Sequence, residues 1–178
     1  IEGDAAARYF GVFQHLLTEK SGFTFGGRNR RPPRDPVNAL LSFLYSVLGK
    51  DISGALQSVG LDPQVGFLHA DRPGRDSLAQ DLLEEFRAWW VDRMTLSLIN
   101  RGQIGLQDFS TEAGGAVNIK PEARKLLFQT LQAKKQEKIV HPYLQEEVEI
   151  GLLPHIQAML LARHLRGDLA EYPPFLMR

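Results

Sequence analysis

The chain has 178 residues, of which 43% are hydrophobic and 24% are charged, a composition that excludes a disordered tail and suits one folded domain. Lysine plus arginine and aspartate plus glutamate number 21 each, so the overall charge neither favours nor excludes a polyanionic partner. The lack of cysteine excludes disulfides and thiol nucleophiles, and because no apolar run approaches the length that crosses a bilayer, we expect a cytoplasmic protein.

Helical spacing of apolar residues dominates the first third of the chain. It predicts an amphipathic helix over 4–20, followed by an exposed loop rich in glycine, arginine and proline over 26–36. Asp35 is placed to cap a strongly apolar helix over 37–48. A shorter helical stretch over 52–59 completes this part, so mainly α structure is expected here.

The remaining elements are also mainly helical. Two prolines and two glycines predict a constrained connector over 61–75, and helical spacing then runs over 77–99 with a bend. The pair Gly114-Gly115 separates two short stretches that can form a hairpin. Further helices are predicted from Pro121 and over 143–166. We therefore predict one all-α, mostly helical domain over 1–178, with one small β-hairpin.

Two acidic residues on the helix that begins at Ser77 are candidates for chemistry. Asp81 and Glu84 are three residues apart, which places both carboxylates on one helix face. Such pairs are most often part of a solvated acidic surface. The preceding residues favour a functional role over a solvated surface, because the connector contains Val65-Gly66-Phe67-Leu68-His69 and then leads back to the start of this helix.

A histidine and a carboxylate on adjoining elements can each donate one ligand to a divalent ion. Oxygen ligands favour Mg²⁺ or Mn²⁺, and an imidazole tilts the choice towards Mn²⁺. Glu2, beside Gly3 at the start of the first helix, is the candidate for a third ligand. The alternatives are that His69 is a hydrogen-bonded core histidine and that Glu2 is a frayed terminal residue or a partner of the helix dipole near the first turn.

Several stretches of the sequence resemble a known family in order and approximate spacing, and they cover most of the first half of the chain. They are Ile1-Glu2-Gly3 followed by Tyr9-Phe10, Arg31 to Leu41, Val65 to His69, and Pro73-Gly74-Arg75 leading to Ser77 to Leu82. The family is that of the CRISPR-associated endonuclease and integrase of spacer acquisition. The ending Tyr172-Pro173-Pro174-Phe175 resembles members of that family from type I systems.

The resemblance implies a metal site for Mg²⁺ or Mn²⁺. The family's glutamate falls on Glu2, its histidine on His69 and its last acidic position on Glu84, which together are the implied metal trio. That last position is often aspartate in the family, so Glu84 differs by one methylene. Asp81 is implied as a second ligand or an orienting group, and Arg72 as a contact to a DNA phosphate.

Arginines form the expected DNA-binding surface despite the neutral overall charge. The candidates are Arg28, Arg30, Arg31 and Arg34 in the loop over 26–36, together with Arg72 and Arg75 in the connector. The alternative is a solvated loop whose arginines pair with nearby acids.

The function that the resemblance implies is insertion of spacer DNA into the CRISPR repeat array by phosphodiester transesterification, with hydrolysis as a side reaction. The implied partners are spacer precursor and repeat DNA, a second copy of the chain in a homodimer, and the small ferredoxin-like companion protein of CRISPR adaptation. The family's N-terminal β-rich domain is expected to be absent from this chain. The competing hypotheses are a non-catalytic helical scaffold that binds DNA or protein, and a metal hydrolase of small phosphoesters.

Overall fold

A computed structural model describes residues 2–177 of the chain, and the side chain of Glu2 lies outside the described part. The helices are α1 (Glu2–Val12), α2 (Pro36–Ser58), α3 (Ser77–Phe86), α4 (Arg93–Asn100), α5 (Pro121–Gln136) and α6 (Leu153–Leu165). The strands are β1 (Phe109–Thr111), β2 (Val117–Ile119), β3 (Lys138–Val140) and β4 (Glu147–Glu149). The predicted fold class, mostly α with a small hairpin, is confirmed.

Helix α2 begins as the sequence predicts. The Asp35 carboxylate accepts the Asn38 N–H at 2.8 Å, which satisfies one of the free amides of the first turn, and Pro36 takes the first helical position. The prediction of two separate helices over 37–48 and 52–59 was wrong. Leu48 and Ile52 are both buried and one turn apart, so a single apolar face continues across the intervening glycine.

Because the two predicted helices are one, α2 is longer than the sequence pattern predicted. The 23-residue helix is long and apolar enough, by length and composition alone, to cross a bilayer. More than half of its most apolar stretch is buried inside the protein, as in the central helix of a globular domain, so it is weak support for a membrane span. The cytoplasmic location stays a prediction.

The chain forms two compact units, and the first comprises the residues up to 44 together with 90–128. Its core includes three aromatic rings, with Phe13 at 5.9 Å from Phe10 and 5.0 Å from Phe25 between ring centroids. The predicted helix over 4–20 is shorter in the structure, because α1 ends at Val12 and a 3-10 turn follows.

The predicted hairpin also lies in the first unit. Strands β1 and β2 pair antiparallel, with Phe109 opposite Ile119. Gly115 supplies the turn with a φ of 77°, a left-handed conformation that favours glycine. The prediction of a hairpin around Gly114-Gly115 is confirmed.

The loop over 26–36 is held in place by one buried side chain that the sequence analysis did not single out. Asn38 is 0% exposed, and its carbonyl oxygen accepts the Asn29 N–H at 3.0 Å and an Arg28 guanidinium N–H at 2.6 Å. Its amide donates to the Gly27 carbonyl and to Asp35 at 2.8 and 2.6 Å. The loop is therefore an ordered extension of α2.

The second unit comprises 45–89 and the residues from 129 onwards. In it, α3 packs against α6, and a second hairpin joins β3 to β4 with Ile139 opposite Val148. The predicted helix over 143–166 was wrong in its first part, because α6 begins only at Leu153. Pairing with β3 stabilises the alternating Glu147-Val148-Glu149 stretch as a strand.

Candidate active site

The connector over 61–75 is anchored to α3 by the carboxylate of Asp81. This carboxylate accepts three consecutive backbone N–H groups, those of Phe67, Leu68 and His69, at 2.6, 3.0 and 2.9 Å. Its side chain is only 9% exposed. The carboxylate thus holds a segment that has no regular secondary structure of its own, and we call this group of bonds the Asp81 clamp.

The same carboxylate orients the ring of His69. The Nδ1 atom of His69 lies 2.6 Å from Oδ1 of Asp81. Because an ionised carboxylate can only accept, Nδ1 carries a proton, and in the neutral ring the lone pair is then on Nε2. Nε2 has no hydrogen-bond partner among the described residues, so it is the atom available to a ligand.

The clamp keeps Asp81 ionised. Burial by itself raises the pKa of the Asp81 carboxyl, but the N–H of Leu68, the ring of His69 and the N–H groups of Phe67 and His69 outweigh it. The pKa therefore lies below its ordinary value. A negative charge stays against the histidine ring, as in the carboxylate–histidine pairs that orient metal ligands.

Gly66 explains why the connector can lie so close to α3. A Cβ at this position would meet the His69 carbonyl oxygen at 2.7 Å and the Cβ of Ser77 at 2.8 Å. Any side chain there would push the connector away from the first turn of the helix. The glycine thus allows the close approach on which the Asp81 clamp depends.

Glu84 lies one helical turn beyond Asp81, where it pairs with Arg87. The distance from Oε1 of Glu84 to the Arg87 guanidinium is 2.6 Å, and the guanidinium also lies over the ring of Tyr45 at 4.8 Å from the centroid. Burial by itself lowers the pKa of Arg87, but Tyr45 and Glu84 outweigh it and raise that pKa above its ordinary value. Oε2 of Glu84 has no hydrogen-bond partner among the described residues.

The predicted metal trio is only partly described. His69 and Glu84 lie within the described residues, whereas the side chain of Glu2 lies outside them. Within the described part of the chain, no group of three histidine, aspartate or glutamate side chains is arranged to hold a metal ion. The unengaged Nε2 of His69 and Oε2 of Glu84 do fit the donor set of Mg²⁺ or Mn²⁺. The trio and its ion stay predictions.

The predicted DNA-binding arginines differ in their surroundings. Arg28 is half-buried and hydrogen-bonded to Asn29, Asn38 and Ser42, so its guanidinium contributes to the fold of the loop. The other three loop arginines and the first connector arginine are exposed, namely Arg30, Arg31, Arg34 and Arg72. The second connector arginine, Arg75, is half-buried.

Sequence reasoning missed a buried polar network in the second unit. The Glu85 carboxylate accepts hydrogen bonds from the Gln157 amide at 2.8 Å, the Tyr172 hydroxyl at 2.7 Å and the Phe175 N–H at 2.7 Å. His141, 1% exposed, lies 3.1 Å from the Gln157 carbonyl oxygen through its Nε2. The network ties the C-terminal tail to α3 and α6. Its members lie far apart in the sequence, so no local sequence pattern predicts their contacts.

Burial shifts the titration of this network. It raises the pKa of the Glu85 carboxyl above its ordinary value, and it raises that of Tyr172 as well, with the charge of Glu85 as a further cause. It lowers the pKa of the His141 imidazole, which favours the neutral ring. A cavity of about 290 Å³ is lined by Glu85 and Tyr172 of this network and by the exposed side chains of Phe67 and Leu68.

A sequence model of the family described as "CRISPR associated protein Cas1" matches residues 1–133. The chain belongs to the Cas1 family. It is 56% identical over 179 aligned residues to the CRISPR-associated endonuclease Cas1 1 of Chlorobaculum tepidum, covering 100% of this chain and 52% of the relative. The chain spans about half the length of the curated relatives it matches.

Solved structures agree with this assignment. A chain described as a casposase bound to integration product matches with a TM-score of 0.83 and 29% identity, over 99% of this chain and 50% of that one. A chain of a Cas6-RT-Cas1–Cas2 complex matches with a TM-score of 0.82 and 28% identity, over 99% of this chain and 19% of that one. The Cas1 fold is thus shared with a protein described as a casposase bound to integration product and with a chain of a Cas6-RT-Cas1–Cas2 complex.

Proposed function

We propose that this chain is the catalytic part of a metal-dependent DNA endonuclease and integrase of CRISPR adaptation, which inserts spacer DNA into the repeat array. Membership of the Cas1 family supports the class of reaction. The observation that carries the proposal is the Asp81 clamp, which presents His69 with Nδ1 engaged and Nε2 unengaged. A buried carboxylate behind an imidazole is the usual support of a metal-ligating histidine.

In this proposal, Nε2 of His69 and the carboxylates of Glu84 and Glu2 hold a Mg²⁺ or Mn²⁺ ion. The bound ion supplies polarisation of a phosphoryl oxygen and stabilisation of charge on the leaving oxygen. Asp81 fixes the tautomer and direction of the His69 ring. Arg72, exposed on the connector three residues after His69, binds a DNA phosphate.

The proposed reaction is a transesterification that balances without an external energy source. A 3′-hydroxyl of the spacer DNA attacks a phosphodiester of the repeat, a new P–O bond forms, and the old P–O bond breaks to leave a free hydroxyl end. The proton of the attacking hydroxyl passes to solvent, and the leaving oxygen takes a proton from solvent to become that hydroxyl. Water in place of the hydroxyl gives the hydrolytic reaction.

The proposed partners are DNA, a second copy of the chain, and the companion protein Cas2. The match to a chain of a Cas6-RT-Cas1–Cas2 complex supports the Cas2 partner. The match to a casposase described as bound to integration product supports a DNA substrate. The homodimer rests on the family resemblance alone.

The test is strand joining and cleavage by the purified protein, with branched or nicked DNA and Mn²⁺. We expect His69→Ala to reduce product formation by at least about 100-fold, since changing only a residue that supports a metal ligand already costs about 10- to 100-fold. The matched control is His15→Ala, an exposed histidine of the first unit, which should keep full activity. Chelation of the metal should stop the wild-type reaction.

Three results would count against the proposal. Activity unchanged by His69→Ala would place the chemistry elsewhere. DNA binding without cleavage or joining at any metal concentration would favour the non-catalytic scaffold. Turnover of a generic small phosphodiester without preference for DNA would favour the phosphoesterase.

A further inference from the structure

The Glu84–Arg87 pair divides the two oxygens of one carboxylate between different roles. Oε1 lies 2.6 Å from the guanidinium, whereas Oε2 has no hydrogen-bond partner among the described residues. The side chain of Glu84 is 35% exposed, and Arg87 engages it through Oε1. A carboxylate held at one oxygen keeps fewer rotamers available, which lowers the entropy cost of binding through the other oxygen.

Arg87 also contacts Tyr45. Its guanidinium lies 4.8 Å from the centre of the Tyr45 ring, and Tyr45 is 9% exposed. The Arg87 side chain is 23% exposed, so its charge is partly desolvated. Cation–π attraction and the planar fork of the guanidinium both restrict its position. Arg87 also stands at the first residue of a π-helical turn, Arg87–Asp92, directly after α3.

We propose that Arg87 is a positioning residue of the metal site, which engages Oε1 of Glu84 and so leaves Oε2 as the oxygen that ligates the ion. The inference rests on the proposed function, because it takes Glu84 as a ligand. It assigns to Arg87 a role through Glu84 rather than through contact with DNA. Hydrogen-bonding partners of ligating carboxylates contribute to metal affinity in this way.

A second pair of the same spacing distinguishes this role from that of an ordinary surface ion pair. Lys134 and Glu137 are also three residues apart at 2.6 Å, at the end of α5. Their side chains are 34% and 57% exposed, and no aromatic ring of the described residues lies against the lysine. Exposed pairs of this kind contribute little. Lys134 is therefore a matched control for Arg87.

The experiment measures Mn²⁺ binding by electron paramagnetic resonance of the free ion, independently of any DNA reaction. We expect Arg87→Met, which removes the charge and keeps an unbranched apolar side chain, to raise the apparent Kd for Mn²⁺ by about 10-fold or more. Arg87→Lys should restore part of the affinity, since an ammonium can reach the same oxygen. Lys134→Met should leave the Kd unchanged. Circular dichroism and a melting curve confirm that each variant is folded.

The His69→Ala protein separates failure of this inference from failure of the proposed function. Loss of Mn²⁺ binding in His69→Ala together with wild-type binding in Arg87→Met overturns the role of Arg87 and keeps the metal site. Binding unchanged in both variants overturns the metal site itself. Tighter Mn²⁺ binding in Arg87→Met also overturns the inference, because the arginine then acts as a competitor for Glu84.

Discussion

At the scale of single residues, Asp81 supports the site in a way that its sequence position did not specify. Their spacing on a helix predicted that Asp81 and Glu84 share a face. A position on that face was compatible with Asp81 as a metal ligand and with Asp81 as an orienting group. In the structure its carboxylate accepts hydrogen bonds from three backbone N–H groups and from the His69 ring. A carboxylate with so many donors has little capacity left for an ion, which favours the orienting role.

Removal of this carboxylate should release the connector. Asp81→Ala leaves three amides and a ring nitrogen without their acceptor, and we expect a loss of about 1–3 kcal/mol in the free energy of unfolding. Hydrogen exchange measured by mass spectrometry should show faster exchange at 67–69. The control is Asp62→Ala, which removes a single bond to the Gln64 N–H at 2.9 Å. Unchanged exchange at 67–69 in Asp81→Ala would contradict the clamp.

At the scale of elements, the site depends on how closely the connector approaches α3. The sequence predicted a constrained connector and the helix after it, and both are present. The distance between them depends on Gly66, whose missing side chain leaves room for the His69 carbonyl and for Ser77. A glycine in a run of apolar residues indicates a turn or a close approach, but it does not say which neighbour comes close.

Gly66→Ala should therefore disturb the connector even though the added group is one methyl. Contacts at 2.7 and 2.8 Å cannot be accommodated without movement, and we expect a loss of about 1–3 kcal/mol in unfolding free energy, measured by urea denaturation. Gly54→Ala is the control, because this exposed glycine of α2 has nothing within 4 Å of the added Cβ. That change should stabilise the helix by about 0.5–1 kcal/mol. Equal stability of the two variants would argue against a close approach at Gly66.

The second hairpin marks a limit of element prediction from sequence. Glu147-Val148-Glu149 fits a helix as well as a strand over so short a stretch, and a long helix over 143–166 was predicted. Its antiparallel pairing with Lys138–Val140 stabilises the strand conformation instead of the helix. The left-handed backbone at Gln145, with a φ of 57°, then turns the chain between the two strands.

At the scale of the whole molecule, equal numbers of acidic and basic residues mean that DNA affinity must come from local charge. The structure separates the arginines of the loop over 26–36 into two kinds. Arg28 is hydrogen-bonded into the loop, whereas Arg30, Arg31 and Arg34 are exposed. Only the exposed ones are open to phosphates without local unfolding.

The triple change of Arg30, Arg31 and Arg34 to glutamine should weaken duplex binding. Each lost phosphate contact should also reduce the slope of log K against log salt concentration by about 0.9. Fluorescence anisotropy at several salt concentrations measures both quantities. A charge-matched control changes three exposed arginines elsewhere, Arg101, Arg124 and Arg163, to glutamine. Equal losses of slope in the two proteins would show a diffuse charge effect rather than a binding surface.

The sequence by itself determined the helical class, the N-terminal cap of α2, the first hairpin and the family, because each depends on local spacing or on residues in a fixed order. It also placed His69, Asp81 and Glu84 on adjoining elements. Only the tertiary structure decided which nitrogen of His69 is engaged, that Arg87 holds one oxygen of Glu84, and that Glu85 ties down the C-terminal tail. These facts depend on contacts between residues distant in the chain, and the direction of a hydrogen bond follows from geometry that spacing along a sequence does not contain.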